Sequence, residues 1–109
     1  MNFNDYQTQA RSFAVFSAKD MTYLVPGLVG EVGELCSLLA KKYRDEYAYH
    51  IETATQDINY AKELGDILWF VSNLATSESY SLEDIAKMNI EKLESRKQRG
   101  TIQGSGDNR

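Results

Sequence analysis

Two short stretches carry the residues whose types and spacing could do chemistry. Residues 30–36 read GEVGELC and residues 63–69 read ELGDILW, so each holds two carboxylates three apart: Glu31 and Glu34, then Glu63 and Asp66. Acids spaced in this way share one side of a helix. Four converging carboxylates repel one another and lose hydration, so they must take up protons or a cation. Oxygen donors alone suit a hard divalent ion, Mg2+ above all, with Mn2+ as a substitute. The midpoint of Glu31 and Asp66 is position 48.5, and so is that of Glu34 and Glu63. In an antiparallel helical hairpin that turns between Ala48 and Tyr49, equal arms would set the two pairs level, at ~1.5 Å of rise per residue.

The faces agree with this. At ~100° per residue, Glu31 falls among Leu24, Leu28, Leu35 and Leu38, with Glu34 at the edge of that apolar arc. Glu63 falls among Ile67, Phe70 and Leu74, with Asp66 at the edge. Gly30, Gly33 and Gly65 sit beside the acids, although each helical glycine costs about 1 kcal/mol relative to alanine. Close approach of another helix or of a ligand would justify them; tight hairpin packing alone is the plainer reason. The plain alternative for the acids is a solvated face with incidental spacing. Two inward, level, glycine-flanked pairs argue against it.

The elements that must position these residues read as four helices. The first spans about Asn4 to Ser17, capped by Asn4, and a loop follows from Ala18 to Thr22. The second spans Tyr23 to Arg44 with Pro26 in its first turn. The third runs from Glu52 to Thr76. The fourth runs from Leu82 to Arg99, capped by Ser81, with Asp84 three residues on. Residues 1–100 form one helical domain, and residues 101–109, TIQGSGDNR, form a Gly/Ser-rich tail expected to fray. The fold class is therefore all-α, four helices around an antiparallel hairpin core.

Composition narrows the rest. The chain has 109 residues, 42% hydrophobic and 26% charged, with a formal net charge of −4. That balance fits a soluble protein and argues against a nucleic-acid or anionic-membrane binder. Cys36 is the single cysteine, expected as a buried thiol in a reducing cytosol. The N-terminus has no signal pattern and no run reaches membrane-spanning length, so the expected location is cytoplasmic. So short a chain buries a modest core alone, and its apolar faces point to a homodimer or homotetramer.

E-x-x-E, 28 intervening residues and then E-x-x-D resemble the all-α nucleotide pyrophosphohydrolases of the MazG-like superfamily. GLVGEVGEL, ELGDILWFVSNLA, SLEDIAKMNIEKLESRKQRG and the terminal GSGDNR extend the resemblance over most of the chain, toward the short single-domain proteins of bacteria and phages. The resemblance implies metal ligands at Glu31, Glu34, Glu63 and Asp66, and Mg2+-dependent cleavage of nucleoside triphosphates between the α and β phosphates. The products would be monophosphate and pyrophosphate, in the role of nucleotide-pool house-cleaning. Some relatives carry a further acid where this chain has Gly30, which leaves the number of ions per site open. Glu34 and Glu63 are the candidate catalytic pair, with Glu34, at the water-facing edge, as general base.

A triphosphate also needs cations and a seat for its base. Asn89, Lys92 and Arg96 share one side of the fourth helix, and N-x-x-K-L-x-x-R in NIEKLESR resembles the family's phosphate-side helix. Lys92 is the foremost phosphate candidate; an ordinary solvated face is the alternative, most of all for Arg96. Asn73 follows Asp66 by two turns on the same side and would bind substrate or serve as a core amide. Trp69 or Phe70 could stack on a base, with core packing as the plainer role for both. His50 is expected to be exposed near the turn. Two other readings use the same acids: a phosphoribosyl-ATP pyrophosphatase-like enzyme, and a non-catalytic helical module that binds metal, nucleotide or a partner. A di-iron bundle needs two E-x-x-H motifs, and one histidine cannot supply them.

Overall fold

The computed structural model describes residues 1–49 and 58–109, and the side chains of 46–49 and 58 are left aside. Every regular element among the described residues is helical. Helix α1 spans Phe3–Ser12, a 3-10 turn spans Phe16–Lys19, and α2, α3 and α4 span Met21–Tyr49, Ile58–Ser77 and Leu82–Gln98. The all-α, four-helix class is as read from the sequence.

Several boundaries differ, each for a local reason. The cap of α1 is Asn2, not Asn4: its side chain accepts from the Asp5 N–H at 2.8 Å and the Asp5 carboxylate returns to the Asn2 N–H at 3.3 Å. This reciprocal box satisfies two orphan donors and outcompetes a cap two residues later. Helix α1 ends at Ser12, and the expected loop is partly the 3-10 turn. Helix α2 starts at Met21 because Asp20 accepts from the Thr22 N–H at 2.8 Å. Pro26 is therefore the sixth helical residue rather than a first-turn residue, and the helix forgoes a hydrogen bond there. Ser81 caps α4 as expected, accepting from the Asp84 N–H.

The largest boundary change concerns the hairpin. Helix α2 runs through Tyr49, so no turn lies between Ala48 and Tyr49. Residues 50–57, which include His50 and the expected start at Glu52, lie outside the described residues. Helix α2 packs chiefly against α3, through the stripe read from the sequence. Leu24 is wholly buried, Leu28, Leu35 and Leu38 are half-buried, and Phe70 is buried on α3.

The close approach of the two helices lies at Gly27. A Cβ there would run into the buried ring of Phe70, which Tyr23 and Trp69 hold at ring-centroid distances of 5.8 and 5.0 Å. Nothing lies within 4 Å of a Cβ built at Gly30, Gly33 or Gly65. The reason given for those three glycines, helix against helix, is not met among the described residues.

The tail does not fray. Gly100, at φ 68°, ends α4, with Thr101 N–H bonding back to Arg96 O at 2.8 Å and Gly100 N–H to Lys97 O at 3.2 Å. This paired arrangement satisfies the last carbonyls and suits glycine. Beyond it, Arg109 donates to the carbonyls of Thr101, Ile102 and Gly106. Arginines supply what apolar residues could not.

A second apolar stripe on α2, Val25, Val29, Val32 and Leu39, stays exposed, as does Cys36 within it. The expected burial of the thiol fails because nothing among the described residues covers that face. The radius of gyration is 17.4 Å, against about 13 Å for a compact domain of this length. One further expectation fails: Met21–Asp45 is long and apolar enough to cross a membrane by length and composition. Glu31 and Glu34 lie near its middle, and each acid there would oppose insertion by about 3 kcal/mol.

The Gly27 contact makes a prediction opposite to helix propensity. Alanine at an ordinary helical glycine stabilises by about 1 kcal/mol. Here overpacking against Phe70 dominates, and Gly27→Ala is expected to destabilise by about 2 kcal/mol. Thermal unfolding should show Tm falling by about 10 °C; an unchanged or raised Tm would refute the contact.

Candidate metal centre

Helices α2 and α3 deliver three of the four acids to one point. Glu31, Glu63 and Asp66 each offer a carboxylate oxygen, and the three oxygens lie within 4.8 Å of one another. Glu31 and Glu63 are half-buried and Asp66 is exposed, as their places on and beside the apolar stripes require. Glu34, at the stripe's edge, is exposed and lies outside this three-oxygen group, although its charge reaches Glu31.

The electrostatics show the stress. Loss of hydration pushes the Glu31 carboxyl up, and the charges of Glu34, Asp66 and Glu63 push it further. One oxygen of Glu63, Oε2, is buried without a hydrogen-bond partner. A buried carboxylate oxygen with no donor costs free energy that a cation removes. Three oxygen donors, one of them from the carboxylate that carries this orphan, fit a hard divalent ion, and no sulfur or nitrogen ligand lies in the group.

Tyr6 is a neighbour that the sequence reading did not single out for the site. Burial raises its phenol pKa, and the charge of Asp66 adds to the effect. Helix periodicity gave no sign of this, because α1 meets α3 through tertiary packing.

The other site candidates separate. Asn73 is completely buried. Its amide donates to Trp69 O at 3.1 Å, and its Oδ1 accepts from Arg11 at 3.4 Å. It is the core amide rather than a group facing a substrate. Trp69 is half-buried, edge-on to Phe70 at 82°. Arg96 is 6% exposed and donates to both the carboxylate and the backbone carbonyl of Asp107, at 3.1 and 2.7 Å. It anchors the tail instead of presenting a free cation. Lys92 is half-exposed and binds the same Asp107 oxygen at 3.0 Å. Asn89 is exposed on the same side of α4. Asp107 was not singled out from the sequence because the tail looked unstructured; its pKa is lowered, chiefly by the hydrogen bond from Lys92.

Comparison with known proteins identifies the family. The profile of the MazG nucleotide pyrophosphohydrolase domain matches residues 19–101. The Gene 37 protein of Mycobacterium phage L5 is 37% identical over 116 aligned positions, covering the whole of both chains. No solved structure matches significantly.

The raised Glu31 pKa fixes a sign. The folded chain holds this proton more tightly than the unfolded chain does, so stability is lost as pH rises through the folded pKa. Without divalent ions, Glu31→Gln should therefore raise Tm at pH 7, and the gain should shrink as pH falls into the carboxylate range. Mg2+ at ten times its Kd should stabilise the wild type by about 1.4 kcal/mol. Glu31→Gln and Glu63→Gln should lose that response. Thermal scans with and without the ion check it; an equal response in all three proteins would refute the site.

Proposed function

The chain belongs to the MazG nucleotide pyrophosphohydrolase family, and from that we propose that it hydrolyses nucleoside triphosphates between the α and β phosphates. The products are a nucleoside monophosphate and pyrophosphate, and the role is control of the cytoplasmic nucleotide pool. The observation that carries this reading is the group of Glu31, Glu63 and Asp66 with its orphaned buried oxygen.

Glu31, Glu63 and Asp66 would hold Mg2+, and Glu34 would join them as a fourth acid. When bound, the ion neutralises phosphate charge and makes the α-phosphorus more electrophilic. The chain's own residues do the rest. The exposed Glu34 carboxylate takes a proton from the water that attacks the α-phosphorus. The bond from that phosphorus to the α–β bridging oxygen breaks, and pyrophosphate leaves with the oxygen. Lys92 approaches the phosphates the ion does not neutralise, keeping two N–H donors beyond the one on Asp107. Arg96 acts by holding Asp107.

Pyrophosphate release from the common ribo- and deoxyribonucleoside triphosphates, with and without Mg2+, tests the reaction. Turnover should require the ion and fall at least about 100-fold in Glu63→Gln and Glu34→Gln. Glu34→Gln should still bind nucleotide, and retained turnover in that variant would overturn its role as base. Ion-dependent stability with no turnover would favour the non-catalytic module.

The exposed stripe of α2 supports a homo-oligomer in which a second copy covers Val25, Val29 and Val32, with the open space at Gly30 and Gly33 beneath it. Light scattering coupled to size exclusion should find a dimer or tetramer that Val29→Glu dissociates. A monomeric wild type would refute this.

A further inference from the structure

A cavity of 570 Å³ opens between α1, the α3–α4 turn, α4 and the tail. Its apolar lining includes Leu68, Leu82 and Ala86 with two aromatic residues, Phe3 and Tyr80. Both rings are substantially exposed, so core packing does not account for them. Its polar lining is Asn89, Lys92 and Asp107.

The Asp107 corner is built rather than incidental. Arg96, buried in α4, grips Asp107 by carboxylate and backbone, and Lys92 takes the same Oδ1. Arg109 fixes the shape of the tail by three carbonyls, and Arg99 donates to the Arg109 carbonyl at 2.8 Å. Both cations use Oδ1, which leaves Oδ2 to accept from whatever enters. Phe3 and Leu68 border Tyr6 as well, and the Tyr6 phenol senses Asp66.

We propose that this cavity seats the nucleoside part of the substrate, and that Asp107 favours bases bearing an exocyclic amino group. The proposal rests on the pyrophosphohydrolase reading and adds to it a base seat and a specificity-determining residue. Aromatic faces such as Phe3 and Tyr80 stack on any base. The carboxylate then discriminates, because it only accepts hydrogen bonds. Adenine, cytosine and guanine offer an amino group to it. In uracil and thymine the ring N–H lies between two carbonyls, whose lone pairs a carboxylate repels. A nucleotide seated here would run its phosphates past Lys92 toward Glu31, Glu63 and Asp66.

The test is calorimetric titration of AMP, CMP, GMP and UMP into the full chain, for wild type, Asp107→Asn and Ala86→Trp. Wild type should bind UMP about tenfold more weakly than the other three. Asp107→Asn, at an exposed side chain, should bring the four together, because an amide also donates to carbonyls. Ala86→Trp fills the cavity and should weaken all four about tenfold or more while inorganic pyrophosphate binds as before, with circular dichroism confirming its fold. If that variant does not fold, the Asp107→Asn comparison decides. Wild-type binding without base preference, a preference unchanged in Asp107→Asn, or wild-type affinity in folded Ala86→Trp would each overturn the proposal. Triphosphate turnover is scored separately. Turnover with no such preference in binding overturns the cavity and leaves the activity standing. Selective binding without turnover supports the cavity and overturns the activity. No binding of any nucleotide overturns the proposal whatever the turnover.

Discussion

Three carboxylates from two helices meet in a space where like charges repel and water is partly excluded. The helices would not choose this by themselves: apolar stripes draw α2 and α3 together, and Glu31 and Glu63 ride within those stripes. The attraction of the stripes is spread over many leucines and one phenylalanine, while the repulsion is confined to one turn of each helix. Packing therefore wins, and the strain is left as an elevated Glu31 pKa and an orphaned Glu63 oxygen. A divalent ion relieves both at once. Folding thus brings the acids together in a form that a divalent ion would stabilise.

Helix periodicity made much of this legible. Leu24, Leu28, Glu31, Leu35 and Leu38 are the inward residues of α2, as a ~100° step requires. Phe70 packs as core in the same way. The equal-midpoint reading set Glu31 level with Asp66, and the two do meet, yet α2 continues past the expected turn to Tyr49. Register came from the stripes and not from a central turn. Glu34 shows the limit of that reading: three-residue spacing keeps it beside Glu31, while its edge position leaves it exposed and outside the three-oxygen group.

What was not legible depends on long-range partners. Asn73 reads as a polar residue beside a site, but Arg11, distant in sequence, joins it to the core. Arg96 reads as a surface cation, but the tail folds back and buries it. Composition made TIQGSGDNR look like a loose end because it lacks apolar anchors. Its order comes from arginines bonding backbone carbonyls, which hydrophobic patterning does not detect. The exposure of Cys36 has the same origin in reverse: the thiol was read as buried, and none of the described residues covers it.

The contact between Gly27 and Phe70 reaches beyond stability to the way sequences in this fold can drift. The space a β-carbon would occupy on α2 is already filled by an aromatic ring from α3. Volume at the two positions is therefore a shared quantity. A larger residue at 27 requires a smaller one at 70, and the pair can only change together or not at all. Because Phe70 also orders Tyr23 and Trp69, such an exchange would carry a second aromatic rearrangement with it. This corner of the hairpin should diverge in jumps.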